Sequence, residues 1–101
     1  MASRESLHEM LKEMLGSSNV YYQPPESEKM EYPAIRYSKS NIESRYANDT
    51  KYSLVDRYEL IVISKRPDHP VIKKLLMLPY CSYDRHYVSD NLNHDTLTLY
   101  Y

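Results

Sequence analysis

The end of the chain, residues 78–101, constrains the fold most because it holds two strand-like runs separated by a polar turn. The runs are Cys81 to Val88 and His94 to Tyr101, and the residues between them, Ser89 to Asn93, are of the types that favour turns. The second run reaches the final residue, although termini usually fray unless they are held in place. We therefore expect a C-terminal β-hairpin whose last strand belongs to the sheet. Its inner face is expected to carry Leu97, Leu99 and Tyr101.

The length and composition are those of one globular domain spanning residues 1–101. A formal net charge of −1 offers no basic surface for a phosphate backbone, so we expect no sequence-specific nucleic acid partner. The sequence contains no apolar signal segment and no apolar run approaching about 18 residues. Its single cysteine allows no internal disulfide. These features predict a soluble protein that is made in a cytoplasm and has no membrane partner.

Apolar periodicity predicts a helix near the N-terminus. Ser6 followed by Glu9 matches a capping box, Ser3 is an alternative cap one turn earlier, and Gly16 is placed to end the helix in a left-handed conformation. The apolar stripe that would face the core consists of Leu7, Met10, Leu11, Met14 and Leu15.

A second, shorter helix is predicted after residue 68. Asp68 is expected to cap it, Pro70 lies in its first turn and Pro79 stops it. Its expected inner residues are Val71, Leu75 and Leu78, and its outward residues are Lys73 and Lys74.

Strand patterns occupy the middle of the chain. A short strand is predicted at residues 19–23, followed by a loop at 26–31 and a second strand at 33–39 with Ile35 and Tyr37 on one face. Residues 41–50 form a connection that can extend either neighbouring strand, with a turn at 47–49.

The longest predicted strand, Lys51 to Ser64, is apolar on both sides in its second half, Leu60 to Ile63. A strand with one solvated face would keep alternating, so we expect both faces to be covered, one by a helix and the other by a second element, for which another subunit is a candidate. One face is predicted to carry Leu54, Tyr58, Leu60 and Val62, and the other Val55, Ile61 and Ile63.

These elements predict a single α+β domain. The expected architecture is a mostly antiparallel sheet of four or five strands, packed with an N-terminal helix and a short second helix, and containing the C-terminal β-hairpin.

The hairpin also carries groups capable of chemistry, namely Asp84, His86, Asp90, His94 and Asp95. Carboxylates and imidazoles bind divalent metals, but this spacing matches no compact ligand motif, and we disfavour a metal or catalytic site. Cys81 is interpreted as a small core residue, not a nucleophile. With a single glycine the chain has no glycine-rich phosphate loop, and we expect no cofactor.

Arg85 is expected to share a face with Tyr83 and Tyr87, which would expose two tyrosines beside an arginine. Tyrosine and arginine are enriched at interface hot spots, because each offers a large contact area with a hydrogen-bonding tip. A solvated edge strand is the other interpretation. The predicted subunit or partner interface consists of Tyr83, Arg85, Tyr87, Asn91, Asn93 and His94.

The second half of the chain resembles the tail terminator, or tail completion, proteins of long-tailed bacteriophages. The resemblance lies in the strand Arg57 to Ile63, the Lys65-Arg66-Pro67-Asp68 segment, the run Leu75 to Cys81, Tyr83-Asp84-Arg85 and the run Asp90 to His94. The earlier stretches 21–26 and 32–35 are similar to the same family, so the resemblance covers nearly the whole chain.

The resemblance implies an α+β subunit that forms a homo-oligomeric ring, usually a hexamer, at the head-proximal end of the tail. Such a ring caps the major tail tube protein and presents a docking face to the head-completion, or neck, protein. It is a structural virion component and not an enzyme. The alternatives are a head-tail connector of the neck, a small regulatory protein-binding module and, least favoured, a metal-dependent hydrolase.

Overall fold

A computed structural model describes residues 4–24, 29–47 and 50–101 of the chain. The two helices and the single five-stranded sheet confirm the predicted α+β fold. In chain order the elements are α1 (Arg4–Leu15), β1 (Val20–Tyr22), β2 (Ala34–Ala47), β3 (Thr50–Ser64), α2 (Pro70–Leu76), β4 (Cys81–Ser89) and β5 (Leu92–Tyr100).

The strands lie in the order β1-β2-β3-β5-β4. β1 runs parallel to β2, and the other neighbouring pairs are antiparallel. The C-terminal hairpin is thus part of the sheet, as predicted, with β5 between two strands and β4 at the edge. Chain order does not reveal this, because β5 pairs with β3 across the intervening α2 and β4.

Both helices pack on the same face of the sheet. The faces predicted for Ile35 with Tyr37, and for Tyr58 with Leu60 and Val62, are confirmed because all five side chains are in one buried cluster. From the helices this cluster takes Leu7, Leu11, Val71, Ile72 and Leu75, and from β1 and β5 it takes Val20, Leu97 and Leu99.

α1 ends as predicted but begins earlier than the capping box implies. Gly16 has a φ of 79° and its N–H donates to the carbonyl oxygen of Lys12 at 2.9 Å, which is a left-handed helix end. Since α1 starts at Arg4, Ser6 lies inside the helix, where its hydroxyl hydrogen-bonds the hydroxyl of Tyr101. The alternative cap, Ser3, lies outside the described residues.

The N-cap of α2 is His69, not Asp68 as predicted. Asp68 has a φ of 57°, in the left-handed region, and lies one residue too early. The Nδ1 atom of His69 accepts the backbone N–H of Val71 at 3.1 Å. Leu78 lies beyond the helix but packs against the core, while Lys73 and Lys74 are exposed as predicted.

The connection predicted between β2 and β3 extends both strands. Their pairing runs from Ala34 opposite Ile63 to Ala47 opposite Thr50. β5 pairs with β3 only from Arg57 onward, so the distal parts of β2 and β3 project from the body as a two-stranded ribbon. In the predicted turn at 47–49, Asn48 and Asp49 lie outside the described residues, as do the side chains of Leu54 and Val55, whose faces were also predicted.

The sheet face opposite the helices, called the open face below, carries two further apolar residues of β3, Ile61 and Ile63. Ile63 is buried there and Ile61 is half-buried. In residues 4–24, 29–47 and 50–101, both helices lie on the other side of the sheet. The expectation that a second subunit covers this face therefore stays a prediction.

A candidate interaction face on the C-terminal hairpin

The hairpin turn is shorter than the sequence indicates. Asp90 and Asn91 alone connect the strands, with φ values of 53° and 63°. Positive φ at both central residues is the backbone that a two-residue type I′ turn needs, and Asp and Asn tolerate it better than most residues. Ser89 therefore ends β4 and Asn93 belongs to β5, although both were predicted in the turn.

A β-bulge in β4 decides which side chains share a face. Tyr83 lies opposite Leu97, but Arg85 lies opposite Thr96, which leaves Asp84 as the extra residue. Because side chains alternate along a strand, this extra residue moves Arg85 to the open face while Tyr83 stays on the helix side. The prediction that Tyr83 shares a face with Arg85 and Tyr87 is therefore wrong.

The hydroxyl of Thr96 holds the bulge in place. Its oxygen accepts the backbone N–H of Arg85 at 3.2 Å and donates to the carbonyl oxygen of Arg85, also at 3.2 Å. One buried side chain thus contacts both polar backbone groups of the residue that follows the bulge. Beside the bulge, the carboxylate of Asp84 accepts the hydroxyl of Thr98 at 2.8 Å, so Asp84 also turns to the open face, whereas His86 lies on the helix side opposite Asp95.

Arg85, Tyr87 and His94 form a stacked row on the open face. The rings of Tyr87 and His94 are nearly parallel, with centroids 4.8 Å apart and planes 13° apart. The guanidinium carbon of Arg85 lies 5.1 Å from the Tyr87 centroid, which is cation–π distance. Nδ1 of His94 lies 3.0 Å from the carbonyl oxygen of Leu92, so that nitrogen carries a proton and donates it. These contacts orient three adjacent side chains.

The row continues across the sheet into apolar surface. Thr96 pairs with Ile61, and Ile61 pairs with Arg36, so Arg85 stands in line with a half-buried isoleucine and a second arginine. Oriented aromatic and arginine side chains beside an aliphatic side chain have the composition of protein–protein hot spots.

Two of the other predicted interface residues stabilise the hairpin from the helix side. The hydroxyl of Tyr83 donates to Oδ1 of Asp95 at 2.6 Å, and this hydrogen bond, more than burial, raises the pKa of Tyr83 to about 12. Asp95 is only 5% exposed. Oδ1 of Asn93 lies 3.1 Å from Nε2 of His86, while its amide donates to the carbonyl oxygens of residues 64 and 65. Asn91, the sixth predicted residue, lies in the turn.

The groups considered for catalysis are dispersed. Asp84, His86 and Asp95 each contact a different neighbour, as described above, and Asp90 is a turn residue. Within the described ranges, no three His, Cys, Asp or Glu side chains lie close enough to hold a metal ion. Cys81 is half-buried against the core as predicted, and burial, with a smaller effect of the Asp84 carboxylate, raises the pKa of its thiol.

A cleft of about 500 Å³ lies at one end of the sheet, between Tyr32-Pro33 and residues 64–70. His69 is engaged in capping α2, and the Ser64 hydroxyl donates to the carbonyl oxygen of Arg66 at 2.7 Å. Two of the polar side chains that line the cleft are therefore already used by the fold.

Sequence reasoning missed an exposed apolar group at the C-terminal end of α2. Met77 is 85% exposed and Tyr80 is 75% exposed, and Leu76 is also exposed. The sequence did contain a signal for this group, because Met77 falls outside the inner stripe of Val71 and Leu75 and an apolar residue there is expected to be exposed. Pro79 was interpreted only as the end of the helix. We call Leu76, Met77 and Tyr80 the apolar rim.

A comparison with models of known protein families found no match, and a search of curated proteins found none either. Neither α1 nor α2, the helices of the described residues, is long and apolar enough to span a membrane.

Proposed function

We propose that this chain is a structural virion protein that forms a homo-oligomeric ring at the head-proximal end of a phage tail. In this role it terminates the tail tube and provides the docking face for the neck. The observation that carries the proposal is the stacked row of Arg85, Tyr87 and His94 on a sheet face that lies away from both helices. The resemblance to tail terminator proteins supplies the biological setting, and the α+β fold agrees with what that resemblance implies.

A closed ring needs two different surfaces on each subunit, since one surface of each copy meets another surface of the next. The chain offers two such surfaces. The stacked row lies on the open face, whereas the apolar rim follows α2 on the helix side. Contact between the row of one copy and the rim of the next would bury Tyr87 against Met77 and Tyr80. Six copies would complete a ring like those of the family that the chain resembles.

The proposed role requires no reaction, and this is consistent with how the hairpin uses its polar groups. Asp95 is the acceptor of a tyrosine hydroxyl, and Asp84 accepts a threonine hydroxyl. Because these two carboxylates already hold the bulge and the hairpin in place, their role is to position the interface and not to catalyse a reaction.

The test is assembly of the purified chain, alone and on tail tubes that lack a terminator. We expect ring-shaped particles by negative-stain electron microscopy and a multiple of the subunit mass by native mass spectrometry. Tyr87→Ala should weaken assembly at least tenfold, because it removes the centre of the stacked row.

Lys73→Ala is the matched control, since Lys73 is exposed on the outward side of α2 and should leave assembly unchanged. Binding to the neck protein but not to the tail tube protein in a pull-down would instead identify a head-tail connector. A chain that forms no ring alone, on tail tubes or with the neck protein would overturn the proposal.

A further inference from the structure

β4 is a long unpaired edge of the sheet. Over nine residues it pairs with β5 alone among the described strands, and most of its side chains are exposed. β1, at the opposite edge, spans only three residues. An exposed strand edge presents backbone N–H and C=O groups that can pair with another strand.

The hydrogen bonds to β5 identify which backbone groups face outward. Both polar backbone groups of Arg85 contact Thr96, and the carbonyl oxygen of Tyr80 accepts from the N–H of Tyr100 at 3.1 Å. Residues of an antiparallel strand direct their backbone groups alternately to its two sides. The residues whose backbone groups face the free edge are therefore Cys81 and Tyr83 before the bulge, and His86 and Val88 after it.

These four residues can pair with the same four residues of a second copy. If two copies of β4 run antiparallel with the two-fold axis between Asp84 and Arg85, Cys81 lies opposite Val88 of the second copy and Tyr83 lies opposite His86. Both pairs join outward-facing backbone groups, and both place side chains on the helix side. The bulge makes this match possible, because an unbroken alternation would place Cys81 and Val88 on opposite faces.

The charges and the exposed apolar side chains agree with the same register. On the open face, Asp84 lies opposite Arg85 of the second copy, which places opposite charges side by side twice across the axis. At each end, Val88 of one copy, which is 62% exposed, meets Cys81 of the other beside the exposed Tyr80. Pairing would cover apolar surface that the monomer leaves in water.

We propose that the free protein is a two-fold dimer in which the β4 edges of two copies pair antiparallel in this register, joining two five-stranded sheets. We infer that a second copy of this chain occupies the edge, because the outward-facing backbone groups, the charges and the exposed apolar residues of β4 each match those of an antiparallel second β4. A two-fold contact cannot by itself build a single closed ring, so the dimer is a state of the protein before assembly. It does not depend on the proposed ring.

Cross-linking tests the register. Val88→Cys places a thiol opposite Cys81 of the second copy, at the backbone spacing of about 5.5 Å that a disulfide accepts. Under mild oxidation we expect a covalent dimer on non-reducing gels, and mass spectrometry of the digest should identify a disulfide between Cys81 and the thiol introduced at position 88. Ser89→Cys is the control, because residue 89 is exposed on the other face and should give no such link.

Charge exchange tests the same contact without relying on a thiol. Asp84→Arg and Arg85→Asp each place like charges together in a dimer of one variant, so each should dimerise about tenfold more weakly than the original chain in sedimentation equilibrium. An equimolar mixture pairs opposite charges and should recover the original affinity as a mixed dimer. Circular dichroism checks that each variant folds.

A monomeric original chain at about 100 μM, or a linked dimer whose digest lacks the disulfide between positions 81 and 88, would overturn the β4 dimer. If the equimolar mixture of the two charge variants did not recover the dimer affinity of the original chain, the proposed register of the β4 dimer would be wrong. Ring formation is scored separately on tail tubes, so either proposal can fail while the other stands.

Discussion

Among single residues, Thr96 has the widest influence on the candidate interface. Its hydroxyl takes both backbone hydrogen bonds of Arg85, which fixes the bulge and directs Arg85 to the face of Tyr87 and His94. A residue on β5 thus determines which residues of β4 can meet a partner. The sequence alone predicted these hairpin residues as an interface but assigned Tyr83 to the wrong face, because a bulge leaves no periodicity to detect.

Tyr83 is predicted to stabilise the hairpin through its hydroxyl group. Tyr83→Phe removes the donor to the buried carboxylate of Asp95, so we expect the free energy of unfolding to fall by about 1–2 kcal/mol in urea denaturation. Tyr80→Phe, at a largely exposed tyrosine, should change it by less than about 0.5 kcal/mol. Equal effects of the two substitutions would contradict this role of the hydrogen bond.

Among the secondary-structure elements, β5 has the central position. It lies between β3 and β4, and its Leu99 is opposite Tyr58 on one side and Cys81 on the other. Periodicity in the last residues predicted a strand with Leu97 and Leu99 inward, and both are buried. That this strand is interior to the sheet, while β4 is the edge, follows from long-range pairing that no local pattern encodes.

Removal of residues 98–101 should therefore abolish cooperative folding. The deletion removes Leu99, which is 1% exposed, and the hydrogen bond from the N–H of Tyr101 to the carbonyl oxygen of Asp56. Leu99→Ala alone should cost about 2–5 kcal/mol in free energy of unfolding. The measurement is thermal unfolding followed by circular dichroism, and a deleted chain with an unchanged transition would show that the strand end is dispensable.

For the whole molecule, the aromatic content has a thermodynamic consequence. The chain has twelve tyrosines and no phenylalanine or tryptophan, so hydroxyl groups enter even the core. Tyr37 and Tyr58 are buried with ring centroids 6.0 Å apart, and Nδ1 of His8 lies 2.7 Å from the Tyr37 hydroxyl oxygen. Core packing in this protein is therefore linked to the ionisation of phenols.

We expect stability to fall as the pH rises from 10 to 12. Burial raises the pKa of Tyr58 to about 12, and the hydrogen bond to Asp95 raises that of Tyr83 to about 12, from an ordinary value of 10.0. Above pH 10 the unfolded chain loses these protons while the folded chain keeps them, so the stabilisation present below pH 10 is lost as pH passes through the folded pKa values.

Urea denaturation at several alkaline pH values measures this loss. The double variant Tyr58→Phe with Tyr83→Phe should have a shallower decline in unfolding free energy than the original chain, since it lacks both groups. Tyr80→Phe is the control and should keep the original slope. An identical slope in the double variant would mean that other groups cause the alkaline loss.

The sequence by itself determined the elements that depend on neighbouring residues. The apolar stripe of α1, the stop at Gly16, the inner residues of α2 and the alternation in β3 and β5 each reflect interactions within a few positions along the chain. The α+β class followed from them. One local prediction was wrong: Asp68 is a good capping residue type, but the backbone there is left-handed and His69 caps α2.

Only the tertiary structure decided the strand order, the shared faces and the free edge. β5 pairs with β3 at sequence separations of 29 residues or more, the shortest being that of Ser64 with Asn93, and Thr96 shifts the register of β4 by one residue. Such pairings depend on how apolar area and hydrogen bonds are satisfied over the whole sheet. For that reason the C-terminal hairpin was predictable as a hairpin, while the surfaces that it presents to a partner were not.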